Sequence, residues 1–369
     1  MKILQTVKYY DPSHGGMESV VKNLVDGVLN ISNRHEFTIY ANNHVSSWKR
    51  TKVISPGITC IKEATPLLFR SQPVSIRYPA LKELLANTDI VHHHYPFPNM
   101  EIALLKHIEI LKNKRLILTW HANIKNSRWS WISSYYDPLI IKLLDVAESI
   151  VVTSPQLLDA SKVLKHYINK VKIIPLSFSG TTTIYNPPIR LLPAKRKFRL
   201  LFVGKLRAYK GVDFLITAIK NLDVDLTIVG SGEQEIVLKK LVEELGIGQK
   251  VCFLQNMSNS ELKVEFQKAD LFILPSINEA EAFGVVQLEA MSNGLPVINT
   301  WLDSGVPHVS LDGFTGKTVN PGNSRELETA IESIMKDPTL YSNFSKNSIE
   351  RSKLFTMQAM AENYLSLYD

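Results

Sequence analysis

Cysteine is nearly absent. The 369 residues contain only 2, Cys60 and Cys252, far apart and in no metal-ligand spacing. That scarcity argues against a disulfide framework and a thiolate metal site, and it fits a reducing compartment. Long apolar runs are missing as well. The most apolar stretch, "PLIIKLLDVAESIVV", is broken by Lys142, Asp145 and Glu148, so it is too short and too charged to cross a bilayer. The opening "MKILQTVKYYD" lacks the apolar core of a signal peptide, and a cytoplasmic protein is expected. Acidic side chains are few in the first half. Residues 1–200 carry 27 Lys+Arg against 13 Asp+Glu, whereas residues 201–369 carry 15 against 22. A basic half joined to an acidic half points to an anionic partner: lipid head groups, pyrophosphate or nucleic acid. No nucleic-acid recognition motif is present and the basic residues are scattered over many elements, which disfavours a nucleic-acid-binding protein.

What is present is alternation. The chain is 45% hydrophobic and 21% charged, ordinary for a folded protein, and its length suggests two domains. "KILQTV", "FTIYA", "DIVHHH", "RLILTW", "SIVVTS" and "VKIIP" read as strands. "MESVVKNLVDGVL", "YPALKELLA", "EIALLKHIEIL", "DPLIIKLLDVA" and "PQLLDASKVL" read as the helices between them. Such alternation means an α/β fold with a parallel sheet covered on both faces. The stretch "SFSGTTTIYNPPIRLLPAKRK" reads as a linker. Alternation then restarts with "FRLLFVG", "VDLTIVG", "KVCFL", "DLFILPS" and "PVIN". The expected organisation is a first doubly wound domain over 1–180, a linker over 181–197, a second such domain over 198–355, and a final helix over 356–369. That helix would carry Met357, Met360, Ala361, Tyr364 and Leu367 or Tyr368 on one face and pack back on the first domain.

Ligands of open α/β sheets bind at the carboxyl ends of the strands, and four segments fall there. Gly15-Gly16, directly before a helix, lets main-chain N–H groups approach a phosphate. In "FVGKLRAYKG", Lys205 and Lys210 follow a buried strand and suit a diphosphate leaving group. In "EAEAFGVVQLEAMSNGLPVI", a helix is expected from Gly284 to Asn293. Glu281 would lie just before it and Glu289 about two turns inside. The helix N-terminus at Gly284 would offer free N–H groups for phosphate, Glu281 would serve sugar hydroxyls and Glu289 a ribose. His121 ends the strand "RLILTW" and would face the ligand. His92-His93-His94 is no metal site, because adjacent strand residues alternate faces and cannot converge on one ion.

Taken together these segments resemble retaining glycosyltransferases of family 4, two Rossmann-like domains facing a cleft in the GT-B arrangement. Glu281 to Glu289 stands as the E-x7-E signature, Gly15-Gly16 as the glycine loop, Lys205 and Lys210 as the basic pair, and His121 as the strand-end histidine. In the family the first basic residue is usually Arg; Lys205 keeps the charge without the bidentate fork. The resemblance implies transfer of a sugar from a nucleotide-diphosphate donor, with retention, no metal and no cofactor. His121, Glu281, Lys205 and Lys210 would do the chemistry. Gly15, Gly16, Phe283, Gly284, Val285 and Glu289 would join the lysines and Glu281 in holding the donor. Within the family, "LTWHANI", "VTSPQLL" and "TWLDSGVPHVSLDGFTG" look most like mannosyl- and rhamnosyltransferases of O-antigen assembly, which favours GDP-mannose or a related donor. A UDP-sugar donor is the alternative within the family, and a sugar-nucleotide epimerase or hydrolase the alternative outside it. The acceptor would be a glycan on a lipid-pyrophosphate carrier at the inner membrane face. There Lys49, Arg50, Lys52, Arg70, Arg77, Lys82, Lys125 and Arg128, with Trp48, Phe69, Tyr78, Trp129 and Trp131, would contact anionic lipid.

Overall fold

The computed structural model describes residues 1–11, 16–69, 72–74, 77–123, 133–178 and 187–369. Gly15, Arg70, Lys125, Arg128, Trp129 and Trp131 lie outside the described residues, as does the side chain of Phe69. The chain divides into two compact units, Met1–Ser179 with Met357–Asp369, and Gly180–Thr356.

In the first unit the strands are β1 (Lys2–Thr6), β2 (Glu36–Asn42), β3 (Thr51–Ser55), β4 (Ile58–Glu63), β5 (Leu67–Phe69), β6 (Gln72–Val74), β7 (Ile90–Tyr95), β8 (Arg115–Trp120), β9 (Ser149–Val152) and β10 (Val171–Ile173). Except for the β5–β6 hairpin they form one sheet in the order β10-β9-β8-β7-β1-β2-β4-β3, parallel apart from β3. The central strands are buried on both faces; every residue of β7 is covered. That is why they read as continuous apolar runs with embedded histidines rather than as half-polar strands. The edge strand β3 is exposed along its length.

The final helix, Met357–Tyr368, belongs to this unit and buries Met360, Ala361, Tyr364, Leu365 and Tyr368. Leu365, rather than Leu367, completes the buried stripe. It crosses the helix Gly16–Ile31 closely, since a Cβ on Gly27 would stand 2.9 Å from Cβ of Ala361. A larger residue at 27 would push the two helices apart.

The second unit contains β11 (Phe198–Val203), β12 (Val224–Val229), β13 (Val251–Leu254), β14 (Leu271–Ile273), β15 (Val297–Thr300) and β16 (Gly316–Val319). They form one all-parallel sheet in the order β13-β12-β11-β14-β15-β16. Counted within the unit this is 3-2-1-4-5-6, the dinucleotide-fold order. Strand order reverses between β11 and β14, so the loops leaving those two strands diverge around one crevice. Residues 187–197 precede this sheet and are tied to it. The Arg190 guanidinium donates to the carbonyls of Asn293, Ala269 and Phe266 at 2.9, 2.6 and 3.0 Å, satisfying chain ends that two helices leave open.

Two expected helices are interrupted. "EIALLKHIEIL" forms Pro98–Leu105 and Ile108–Leu111, separated at His107, whose φ/ψ of −118/27 is not helical. "PQLLDASKVL" forms Pro155–Asp159 and then enters a 3-10 turn, Leu164–Lys170.

Candidate active site

Lys205 and Lys210 lie on the loop after β11, and Glu281 on the loop after β14. The strand-order reversal therefore brings together residues 71 positions apart in sequence: the Lys210 ammonium donates to Oε2 of Glu281. Ser276 Oγ donates to the same oxygen at 3.0 Å, which leaves Oε1 of Glu281 without a partner among the described residues. Both ends of the ion pair are nearly buried, with side chains 10% and 11% exposed. Lys210 runs over Gly204, where a Cβ would stand 3.5 Å from Nζ, and its ammonium lies 5.5 Å from the Tyr209 ring. Gly211 turns the chain at φ +63, and a Cβ there would be 2.2 Å from the Pro275 carbonyl oxygen. Only glycine lets the two loops come this near. Lys205 is exposed and has no side-chain partner among the described residues.

The helix carrying Glu289 runs Val286–Ser292 rather than from Gly284. Gly284 has φ +71, outside the helical region, and a Cβ there would meet Gln287 Nε2 at 2.6 Å and Leu274 Cδ2 at 2.7 Å. Glu281 thus stands several residues before the helix, and Glu289 lies in its first turn rather than two turns in. The left-handed glycine turns the preceding backbone so that the N–H groups of Phe283, Gly284 and Val285 meet no acceptor among the described residues. Successive open amides of this kind form an anion-binding concavity. Two residues that the sequence pattern did not single out hold it in shape. Gln287 Nε2 donates to the Phe283 carbonyl at 3.4 Å and the Val306 carbonyl at 3.3 Å. Asn299 Nδ2 donates to Gln287 Oε1 at 2.9 Å. Both are fully buried; a polar residue at a core position, Gln287 on a short helix and Asn299 on β15, was the available signal.

Glu289 is partly buried, and its carboxyl has no hydrogen-bond partner among the described residues. Burial alone pushes its pKa up to about 7. Near neutral pH it is poised between the protonated and ionised forms.

In the first unit, Gly16 opens the helix Gly16–Ile31, and a Cβ on it would meet nothing within 4 Å. His121 follows β8 directly and is buried. Its Nε2 lies 2.9 Å from His94 Nδ1, and the rings stack with centroids 5.2 Å apart. His94 Nε2 lies 2.8 Å from Gln5 Oε1. Burial, followed by the neighbouring His93, lowers the His121 pKa to about 3, so the ring is neutral at any physiological pH. Alternation along β7 puts His92 and His94 on one face, with ring centroids 4.4 Å apart. His93 lies on the other, between Thr6 Oγ1 at 2.8 Å and Glu101 Oε1 at 3.2 Å.

Of the expected lipid-facing residues, Tyr78 is misplaced. It is buried against Tyr40 and Phe97 and donates to Asn42 at 2.9 Å, because its aromatic bulk completes the core beside β2. Trp48 is 82% exposed; Lys49, Arg50 and Lys52 are also exposed beside it and along β3.

A doubly wound unit with a basic loop after its first strand and a carboxylate loop after its fourth, preceded by a second parallel-sheet unit, defines the GT-B class of glycosyltransferase. Comparison with known proteins agrees. Residues 14–177 match the domain described as Glycosyltransferase Family 4, and residues 189–351 the domain described as Glycosyl transferases group 1. The chain is similar to O-antigen chain mannosyltransferase C of Escherichia coli, 24% identical over 100% of this chain and 98% of that protein. It is also similar to D-rhamnosyltransferase WbpZ of Pseudomonas aeruginosa, 27% identical over 96% of this chain and 92% of the other. Among solved structures, sucrose-phosphate synthase from Thermosynechococcus elongatus superposes with a TM-score of 0.78 at 21% identity, covering 100% and 98% of the two chains. HepE of Anabaena in complex with UDP superposes with a TM-score of 0.70 at 18% identity, covering 100% and 99%. The chain belongs to the family 4 glycosyltransferases and has the GT-B fold. Among the described residues no helix is long and apolar enough to cross a membrane.

Proposed function

We propose that this glycosyltransferase moves a hexose, of mannose type, from a nucleotide-diphosphate sugar to a glycan on a lipid-pyrophosphate carrier, with retention at the anomeric carbon and without a metal ion. The observation that carries the reading is the buried Lys210–Glu281 ion pair at the reversal of strand order, with the open Phe283–Gly284–Val285 amides following Glu281 and the exposed Lys205 on the same loop as Lys210. A lysine ammonium has three donors; Lys210 spends one on Glu281 and keeps others for a phosphate. Lys205 and the three amides add donors where the leaving diphosphate gathers charge. Glu281 Oε1 is free to accept a sugar hydroxyl, and Glu289 to accept from a ribose. In the reaction the bond from C1 to the β-phosphate oxygen breaks and one from the acceptor oxygen to C1 forms on the same face. The acceptor's proton passes to the departing phosphate. No covalent nucleophile is required, and His121 contacts the sugar.

The relatives named as an O-antigen mannosyltransferase and a D-rhamnosyltransferase support surface polysaccharide as the product and GDP-mannose or a related GDP-sugar as the donor. HepE, solved with UDP, supports a UDP-sugar as the second reading. Exposed Trp48 and its basic neighbours support contact with an anionic membrane. The experiment is a thermal-shift screen of nucleotide sugars on the wild type and Glu281→Gln. A donor at a hundredfold excess over its Kd raises stability by about 2.7 kcal/mol. GDP-mannose should stabilise the wild type above UDP-glucose. Glu281→Gln should lose the gain due to the sugar while keeping the gain due to free GDP. Equal losses for GDP and GDP-mannose would contradict the division of roles, and salt-insensitive behaviour toward anionic liposomes would remove the membrane contact.

A further inference from the structure

His121 is bonded through a line of buried groups to the last turn of the C-terminal helix. Gln5, on β1, sits at the fork. Its Nε2 donates to the Tyr368 hydroxyl at 2.9 Å, and its Oε1 faces His94 Nε2 at 2.8 Å. Tyr368 in turn lies 2.7 Å from His92 Nδ1, His92 Nε2 2.7 Å from Thr119 Oγ1, and Thr119 Oγ1 2.9 Å from the Tyr364 hydroxyl. Gln5, His92, His94, Thr119 and Tyr368 are all 0% exposed, so no water exchanges their protons for them.

With the Gln5 amide oriented so that Nε2 meets Tyr368 and Oε1 meets His94, counting protons fixes each role. An amide oxygen can only accept, so the proton of His94 must be on Nε2. The His92, His94 and His121 rings are packed too closely, and too far from solvent, for any of them to carry charge. A neutral His94 with a proton on Nε2 has a lone pair on Nδ1, which must receive the Nε2 proton of His121. A neutral His121 protonated on Nε2 has a lone pair on Nδ1. On the other branch Tyr368 accepts from Gln5, so its single proton goes to His92 Nδ1, and His92 donates from Nε2 to Thr119.

We propose that Gln5 and Tyr368 are positioning residues that, through His94, set His121 in the tautomer whose Nδ1 accepts a hydrogen bond. This deepens the proposed function and rests on it for one point only, that the group presented to Nδ1 is a hydroxyl of the donor sugar. An acceptor nitrogen recognises a hydroxyl proton; the opposite tautomer would present an N–H there. Tyr368 ties the Gln5 amide to His92, so the amide turns over only if the Tyr368 and His92 protons reverse with it. If the amide turned over, its NH2 would face His94, the His94 proton would move to Nδ1, and His121 would present the wrong edge.

The test is nitrogen NMR of histidine-labelled protein without ligand, with His121 assigned by His121→Gln. The expected spectrum shows His121 protonated on Nε2 and bare on Nδ1. Tyr368→Phe keeps the ring and its packing but removes the hydroxyl; it should produce a mixture of both His121 tautomers. Gln5→Leu, of similar size, should do the same, which guards against misfolding of either variant alone. In transfer assays Tyr368→Phe should lower kcat about tenfold with KM for the donor nearly unchanged. A wild-type His121 protonated on Nδ1, or a tautomer unmoved in both variants, overturns the proposal. The spectrum is read without donor or acceptor, so it fails or succeeds independently of the sugar-transfer reading.

Discussion

Glu289→Gln makes a sharp test because the side chain has no partner to lose. Its carboxyl is raised from 4.5 to about 7 by burial. At 1.36 kcal/mol per pKa unit, the ionised form is penalised in the folded state by up to about 3 kcal/mol; solvent contact at its partly exposed edge reduces this. The folded protein binds the proton more tightly than the unfolded chain does. The favourable contribution is therefore present below pH 4.5 and is lost as pH rises through 7. Gln carries no such term. Wild type and Glu289→Gln should melt together near pH 4, and the variant should pull ahead by up to about 3 kcal/mol above pH 8. For a unit of this size that is roughly 6–12 °C in Tm. Nucleotide binding should show the complement. If, as proposed, ribose hydroxyls donate to the ionised carboxylate, GDP affinity in the wild type should rise with pH up to about 7 and flatten above it. The variant should bind weakly at all pH values. Differential scanning calorimetry and GDP titration between pH 5 and 9 measure both. A variant no more stable than wild type at pH 8.5, or a GDP affinity independent of pH in the wild type, refutes the placement of Glu289.

Two further outcomes follow from the same loops. Lys205→Ala removes an exposed charge that does not touch the fold, so it should leave Tm unchanged while weakening GDP about tenfold or more, the loss of one charge-assisted hydrogen bond; Lys205→Arg should retain binding. Gly284→Ala forces φ +71 on a residue with a Cβ and drives that atom into Leu274 and Gln287, costing roughly 2–4 kcal/mol in denaturant melts. An unaltered melting curve would show that the turn relaxes freely.

The strands of both sheets were legible where they are mostly buried, as in β7, β8, β11 and β14, because none of their buried positions carries a charged side chain. The edge strand β3, its neighbour β4 and the short edge strand β16 mix polar and apolar residues and left no such trace. The candidate site residues were legible as residues at strand ends, but their pairings were not. Lys210 meets Glu281 because of strand order, a property of the whole sheet, and no local pattern encodes it. The start of the Glu289 helix was misjudged because side-chain periodicity cannot see the backbone turn at Gly284. The histidine triplet was rightly divided by strand alternation. That His92 and His94 join His121 and two tyrosines from the far end of the chain depended on the C-terminal helix returning to the first sheet.

The central claim is that lysines and main-chain amides, with no divalent ion, neutralise the diphosphate. It is tested most directly by calorimetric titration of GDP and GMP in EDTA, on the wild type and on Lys205→Ala. GDP should bind the wild type at least tenfold more tightly than GMP, and the gap should shrink in the variant. Equal affinities for GDP and GMP, or GDP binding that appears only when magnesium replaces EDTA, would contradict the account.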